Sequence, residues 1–367
     1  MSSVQATRLA DHVLTRTKEL AVIPAPSGGE AERATLVADW WRADGWSEVS
    51  IDATGNVWAR VRDGDGGAVV LAAHLDTVFP ADLPHDVRQE GGRLFGPGVG
   101  DDSVAVASLS SAGAQLREQR GRPLWLLATV GEEGLGNLRG IIGALEVPRA
   151  PIDAVLAVEG NYLGRVSAVG VGSLRWRVTV SGGGGHAWEA ADAPSAVHAA
   201  ADMIAGIVRL AVTGARTAVN VGRVGGGEAI NARARACWFE LDIRADDPAA
   251  LEALESDAGA ALAAATPVGI EAAIEDLGRR PAGALDPSHA LVRAAASALE
   301  AVGITPAFIA TSTDANAAHA RGIPAVAVGI TTGGDEHTPR EWIDIAPIAD
   351  GLSVLSATVT RFEEARG

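Results

Sequence analysis

Two histidines and several carboxylates stand where apolar runs of this chain end. In LAAHLDTVFP, residues 71–80, His74 and Asp76 interrupt a segment otherwise suited to burial. LWLLATV leads through Gly131 to Glu132 and Glu133, AVLAV leads to Glu159, and AVAVGI leads through TTGGDE to His337. The tight segment FGPGVGD places Asp101 just before a helix expected from near Ser103. A single acid after a strand is usually a cap or a solvated turn. Several carboxylates brought together repel one another unless they are protonated or share a cation. Histidine supplies no dependable charge at neutral pH. A metal resolves the conflict: imidazole nitrogen with carboxylate oxygen suits zinc, and manganese or cobalt accept the same set. Five such groups are too many for one tetrahedral ion and suit two ions sharing a bridging carboxylate.

Neighbouring residues need separate tasks. Asp76 cannot readily ligate beside His74 in extended geometry, so its expected task is to accept the other imidazole proton and fix the ring. Adjacent Glu132 and Glu133 point apart, so one can bind metal while the other faces a bound water as general base.

These residues must be positioned by strands ending on one side of a sheet, where open α/β sheets collect ligands. AVVLAA at 68–73, PLWLLATV at 123–130, DAVLAV at 153–158 and PAVAVGI at 324–330 read as buried strands. Helical patterns fall at 31–41, 103–117, 286–301 and 314–320. Continuous apolar runs between helices predict an α/β fold with a mostly parallel sheet and helices on both faces. Between these parts the pattern changes: LRWRVTVSG at 174–182 and RARACWFELDIRA at 233–245 alternate, as half-wet strands do. With helices from Pro194-Ser195 and from Asp246-Asp247-Pro248, and strands near 217–224 and 267–275, the order is βαββαβ. This predicts an inserted α+β domain over 170–281, with 1–169 and 282–367 forming the first domain.

The 367 residues carry 46 acidic against 30 basic side chains, a formal charge of -16, which disfavours nucleic acid and anionic membranes as partners. Cys237 is the only cysteine, so no intramolecular disulfide forms and a cysteine-based zinc site is not expected. The opening MSSVQATRLADHVLTRTKEL reads as an amphipathic helix rather than a signal peptide. The stretch 197–212 is too short and too polar to span a bilayer. A cytoplasmic location is expected.

The motifs HLDTV at 74–78, GPGVGDD at 96–102, GEEG at 131–134, AVEG around Glu159, GGGH at 183–186 and HTPREW at 337–342 resemble the di-zinc metallopeptidase family M20. Relatives there include peptidase T, aminoacylase and acetylornithine deacetylase. The resemblance covers essentially the whole chain and implies a zinc-peptidase-like α/β domain with an inserted ferredoxin-like lid. It implies Asp101 as the bridging carboxylate, His74 and Glu159 completing one metal site, and Glu133 and His337 the other. Asp76 would orient His74, and Glu132 would be the general base. Glutamate at 159 resembles the carboxypeptidase and aminoacylase side of the family. His186 resembles the lid histidine that polarises the scissile carbonyl, often in the partner's site of a homodimer formed through the lid. Asn231 and Arg279 resemble lid residues that contact substrate, the arginine gripping a carboxylate. Ser103 stands where many relatives have lysine, and Ala187 where serine is frequent; both weaken any transfer of specificity. Glu341 is left open between supporting the site and marking a helix start.

The implied reaction is metal-dependent hydrolysis of an amide bond, in short peptides or in N-acyl amino acids. The wording of GEEGLGNLRG and STDANAAHARGIP resembles that of tripeptide aminopeptidases, which favours peptides. A non-catalytic metal-retaining binding protein should have lost Glu132. A dehydrogenase is disfavoured because GPGVGD leads into an acid that repels dinucleotide phosphates.

Overall fold

The computed structural model describes residues 3–212 and 214–365. The chain divides into two compact units, one running to Gly170 and resuming at Ala284, the other Val171–Gly283.

The first unit is built on a sheet with the strand order Ser47–Ile51, Val57–Arg62, Leu124–Thr129, Ala68–His74, Ile152–Glu159, Ala325–Gly329 and Arg165–Gly170. Ala307–Thr311 pairs in parallel with Arg165–Gly170. The four central strands are parallel, with Leu71 opposite Leu126 on one side and Leu156 on the other, and Ala157 opposite Ala327. All seven residues of Ala68–His74 are buried. The cause is a two-faced core: Val69, Leu71 and Ala73 join one apolar cluster, whereas Ala68, Val70 and Ala72 join another. The first cluster includes helices Val104–Leu116, Ala290–Ala301 and Ile348–Glu364; the second includes Arg139–Glu146 and Ala315–His319. Truncating Leu71 to alanine removes side-chain packing from one face and should cost about 2–5 kcal/mol.

The second unit is an antiparallel sheet in the order Thr217–Gly226, Ala236–Ala245, Gly172–Gly182 and Ile270–Arg280. Alternate residues Leu174, Trp176, Val178 and Val180 are buried in a core that includes helices Ala196–Ile207 and Pro248–Ala264. Arg175, Arg177 and Thr179 take the wetter face. Pro248 opens its helix, and the Asp247 side chain accepts from Ala250 N at 2.8 Å, the expected cap chemistry. The chain order is the βαββαβ read from the sequence.

Some elements differ from expectation. Arg165–Gly170 and Ala307–Thr311 were not foreseen, nor was a small sheet joining Arg88–Glu90, Arg93–Phe95, Gly333–Gly334 and Trp342–Asp344. The expected helix at 286–301 starts at Ala290, because Asp286 and Ser288 form a side-chain-capped turn first. No described helix is long and apolar enough to cross a membrane.

Candidate metal centre

Parallel neighbours end together, and that places the ionisable residues. His74 and Glu159 are the last residues of their strands, and Glu132 and Glu133 follow Leu124–Thr129 by three and four positions. Asp101 comes from the loop before helix Val104–Leu116, and His337 from a loop where its backbone has φ +60°. Asp101 faces both histidines. Its Oδ1 lies 2.9 Å from His74 Nε2, and its Oδ2 lies 3.0 Å from His337 Nε2. Glu133 Oε1 lies 3.2 Å from the same His337 nitrogen. Two donor clusters result, His74–Asp101–Asp102–Glu159 and Asp101–Glu133–His337, sharing Asp101; Glu132 stands with His74 and Glu133. One carboxylate offering an oxygen to each of two clusters fits two divalent ions.

The electrostatics ask for cations. Burial opposes charge on His74, yet the carboxylates of Asp102, Asp101 and Asp76 raise its pKa well above the usual imidazole value. Hydrogen bonds to Asp101 and Glu133 push His337 up to about 11. Burial lifts Glu159 well above the usual carboxylate range, and the Asp102 and Asp101 charges add to it. Positive charge relieves the repulsion, whether carried as imidazole protons or as metal ions.

Asp76 behaves differently from the sequence expectation. The acceptor for His74 Nδ1 is the Asp76 backbone carbonyl at 3.0 Å; the nearer carboxylate oxygen is 3.6 Å away, beyond hydrogen-bond range. That carboxylate is occupied elsewhere. It accepts from Glu132 N and Glu133 N, both at 2.9 Å, and from Ser27 Oγ at 2.5 Å. Against its burial, the neighbouring His74 ring above all, and then Ser27 and Glu133 N, lower its pKa to about 2.

Of the supporting residues, Asp102 escaped the sequence reading, and the role left open for Glu341 is decided by its partners. Buried Asp102 accepts from His74 N at 3.1 Å and Gly160 N at 2.8 Å, one oxygen each, so it clamps two strand ends. Glu341 is fully buried and opens no helix. Its Oε1 accepts from Gly100 N and Asp101 N, both at 2.7 Å, and its Oε2 from Gly98 N at 3.0 Å. Burial and the Asp101 charge push Glu341 to about 8, against those three donors. The acids of GDD and the Glu following HTPR were the only signals available.

The second unit carries the other candidates. His186 lies on Gly185–His186, paired with Ala232–Arg233, and Ala187 N donates to Asn231 O at 2.8 Å, so His186 and Asn231 are neighbours. His186 Nδ1 accepts from Trp188 N at 3.3 Å, which leaves Nε2 to carry the ring proton. Arg279 is held by Glu255, at 2.7 and 2.5 Å. Its strand pairs Ile270 with Gly182 but Arg279 with Leu174, eight residues back. Arg279 therefore stands roughly 25 Å from the end of the sheet that leads to His186.

An α/β sheet whose strand ends gather two histidines and several carboxylates, with an inserted α+β unit, defines a metal-dependent amide hydrolase. The model of Peptidase family M20/M25/M40 matches residues 70–361, and the chain belongs to that family. Its fold is similar to that of aminopeptidase PepT from Bacillus cereus, with TM-score 0.80 and 21% identity over 96% of this chain and 98% of the other. A tripeptidase from Staphylococcus aureus gives TM-score 0.83 at 20% identity, covering 97% and 99%. A dinuclear metal-binding M20 peptidase from Bacillus subtilis gives 0.71 at 16% identity, covering 97% and 99%.

Proposed function

We propose that this chain hydrolyses short peptides, with Glu132 as general base. The observation that carries the reading is Asp101, which offers one carboxylate oxygen to each of two histidine-containing clusters beside buried Glu132. His74, Asp101 and Glu159 would hold one ion, and Asp101, Glu133 and His337 the other. Bound zinc, with cobalt or manganese as substitutes, supplies Lewis acidity and lowers the pKa of water in the site. Glu132 takes the proton of the attacking water and hands it to the departing amine. Asp76 keeps His74 oriented through its carbonyl while its carboxylate holds the backbone of Glu132 and Glu133. His186 donates from Nε2 to the developing oxyanion, and Asn231 and Arg279 contact the substrate. The similar Bacillus and Staphylococcus proteins, an aminopeptidase and a tripeptidase, support peptides as the substrate class.

The positions of His186 and Arg279 support a homodimer formed through the inserted unit. A tripeptide spans about 10 Å, well short of the roughly 25 Å between Arg279 and the end of the sheet that leads to His186. If both touch one substrate, they come from two copies of the chain. We keep the cytoplasmic location expected from the sequence.

The test is metal analysis of the active protein with a panel of free di- and tripeptides against N-acyl amino acids. Two divalent ions per chain, loss of activity on chelation and faster cleavage of peptides are expected. Faster cleavage of the acyl compounds would reassign the enzyme as a deacylase; full activity without metal would sink the reading.

A further inference from the structure

The loop PAPSGGE, residues 24–30, has no part in the reaction as described, yet it packs against the turn that bears Glu132. Three successive backbone N–H groups of that turn end on carboxylates. Gly131 N donates to Glu30 Oε1 at 3.0 Å, while Glu132 N and Glu133 N go to the two oxygens of Asp76. The same Glu30 oxygen accepts from Gly28 N at 2.8 Å and from Arg139 Nη2 at 2.7 Å. Glu30 is only 3% exposed. Arg139 reaches on to Thr54 O at 3.2 Å. Its side chain also fills the space where a Cβ on Gly131 would sit, with Nε 2.4 Å from that point, and Gly131 has φ +64°. Glycine is therefore required there on two counts. Ser27 closes the other side, with Oγ 2.5 Å from Asp76 Oδ2 and 3.1 Å from Glu133 O.

We infer that Glu30 is a positioning residue for Glu132. The direction of the Glu132 side chain follows from the two peptide planes that flank its Cα, and Asp76 holds the N–H of both. Glu30 holds the plane before them, through Gly131 N, and so anchors the turn from the opposite side. Arg139 balances the Glu30 charge and blocks the space into which the turn would relax. A base must be held within about 0.5 Å of its productive place, and a shift of about 1 Å costs on the order of 100-fold in rate. The inference rests on the reading of Glu132 as general base.

The experiment compares Glu30→Ala and Glu30→Gln in the metal-loaded full chain, with trialanine as substrate. It also measures metal content and amide hydrogen exchange over residues 130–134. Glu30→Ala should lower kcat by about 10–100-fold, leave KM within about two-fold, and keep both metals. Exchange at Gly131 should accelerate. Glu30→Gln retains Oε1 as an acceptor and should restore kcat to within about five-fold of the parent. An alanine variant with parental kcat, a loss that glutamine does not restore, or unchanged exchange at Gly131 each overturns the inference. If Glu30→Ala does not fold, Arg139→Met carries the test: faster Gly131 exchange with a lower kcat supports the inference, and parental values of both refute it. Glu132→Gln is measured alongside. If it retains full turnover, the general-base reading fails, while the exchange data still report whether Glu30 holds the turn.

Discussion

Replacing Glu341 with alanine removes the one side chain that satisfies three buried N–H groups of the loop carrying Asp101. The acceptors lost are those of Gly98, at 3.0 Å, and of Gly100 and Asp101, each at 2.7 Å. A buried donor left unpaired costs about 1–3 kcal/mol. Water entering the space left by the side chain recovers part of this, so the expected loss is about 3–5 kcal/mol. The loop has little freedom to compensate. Gly98 holds φ +68°, and a Cβ there would lie 2.6 Å from Thr77 Cγ2. At about 2–4 °C per kcal/mol, the melting temperature should fall by roughly 6–20 °C. Metal affinity should fall as well, by about 10–100-fold, the usual scale for removing a group that orients a ligand. Glu341→Gln keeps Oε1 for Gly100 and Asp101 but turns an N–H₂ toward Gly98 N, so its losses should be about a third as large. Calorimetry of the metal-loaded protein and a competitive chelator titration read the two effects separately. An alanine variant within 1 °C and three-fold of the parent would show that the loop holds Asp101 without Glu341.

Three further outcomes are expected. Glu132→Gln should keep both metals and lose at least ~100-fold in turnover, measured with peptide substrate and metal analysis. Because Glu255 holds Arg279 in a two-bonded pair, Glu255→Ala should free the guanidinium and lower KM for substrates with a free carboxylate, whereas Arg279→Ala should raise it; equal KM values in both variants would remove Arg279 from the substrate site. Asp44 accepts two hydrogen bonds from Arg16, at 2.7 and 2.8 Å, and one from Ser110, and against its burial these hold its pKa below the usual value. A depressed carboxylate pKa stabilises the fold above the unfolded value of about 3.9, and that contribution is lost as pH falls through the folded value. Asp44→Asn should therefore cost about 1–2 kcal/mol at neutral pH, and the gap in melting temperature should close below about pH 4.

The buried strands were legible because both faces of Ala68–His74 and Leu124–Thr129 are covered, so neither alternate set of residues needs to be polar. The inserted unit was legible for the opposite reason, since one wet face imposes alternation on Gly172–Gly182 and Ala236–Ala245. Arg165–Gly170 escaped because Ser167 and Gly170 break its apolar run, and three-residue strands such as Arg93–Phe95 are too short to carry a period. At the site, the clustering of acids and histidines followed from where strands end. The work of Asp102, Glu341, Glu30 and the Asp76 carboxylate did not, because their partners are backbone N–H groups that every residue type except proline carries. Nothing in the letters says which of those donors is left without a ladder partner.

The inserted unit begins and ends at one place. Gly172 lies so close to Ala282 that a Cβ on the glycine would be 2.5 Å from Ala282 N, and Ser173 pairs with Arg280. In the first unit, Leu285 N donates to Ala168 O at 2.8 Å, so the cut ends there are adjacent too. Residues 171–283 thus form a cassette, removable or replaceable through a single short splice without rethreading either sheet. A lineage, or an engineer, can trade this segment for another of different length and surface while His74, Asp101, Glu133, Glu159 and His337 stay on an untouched scaffold.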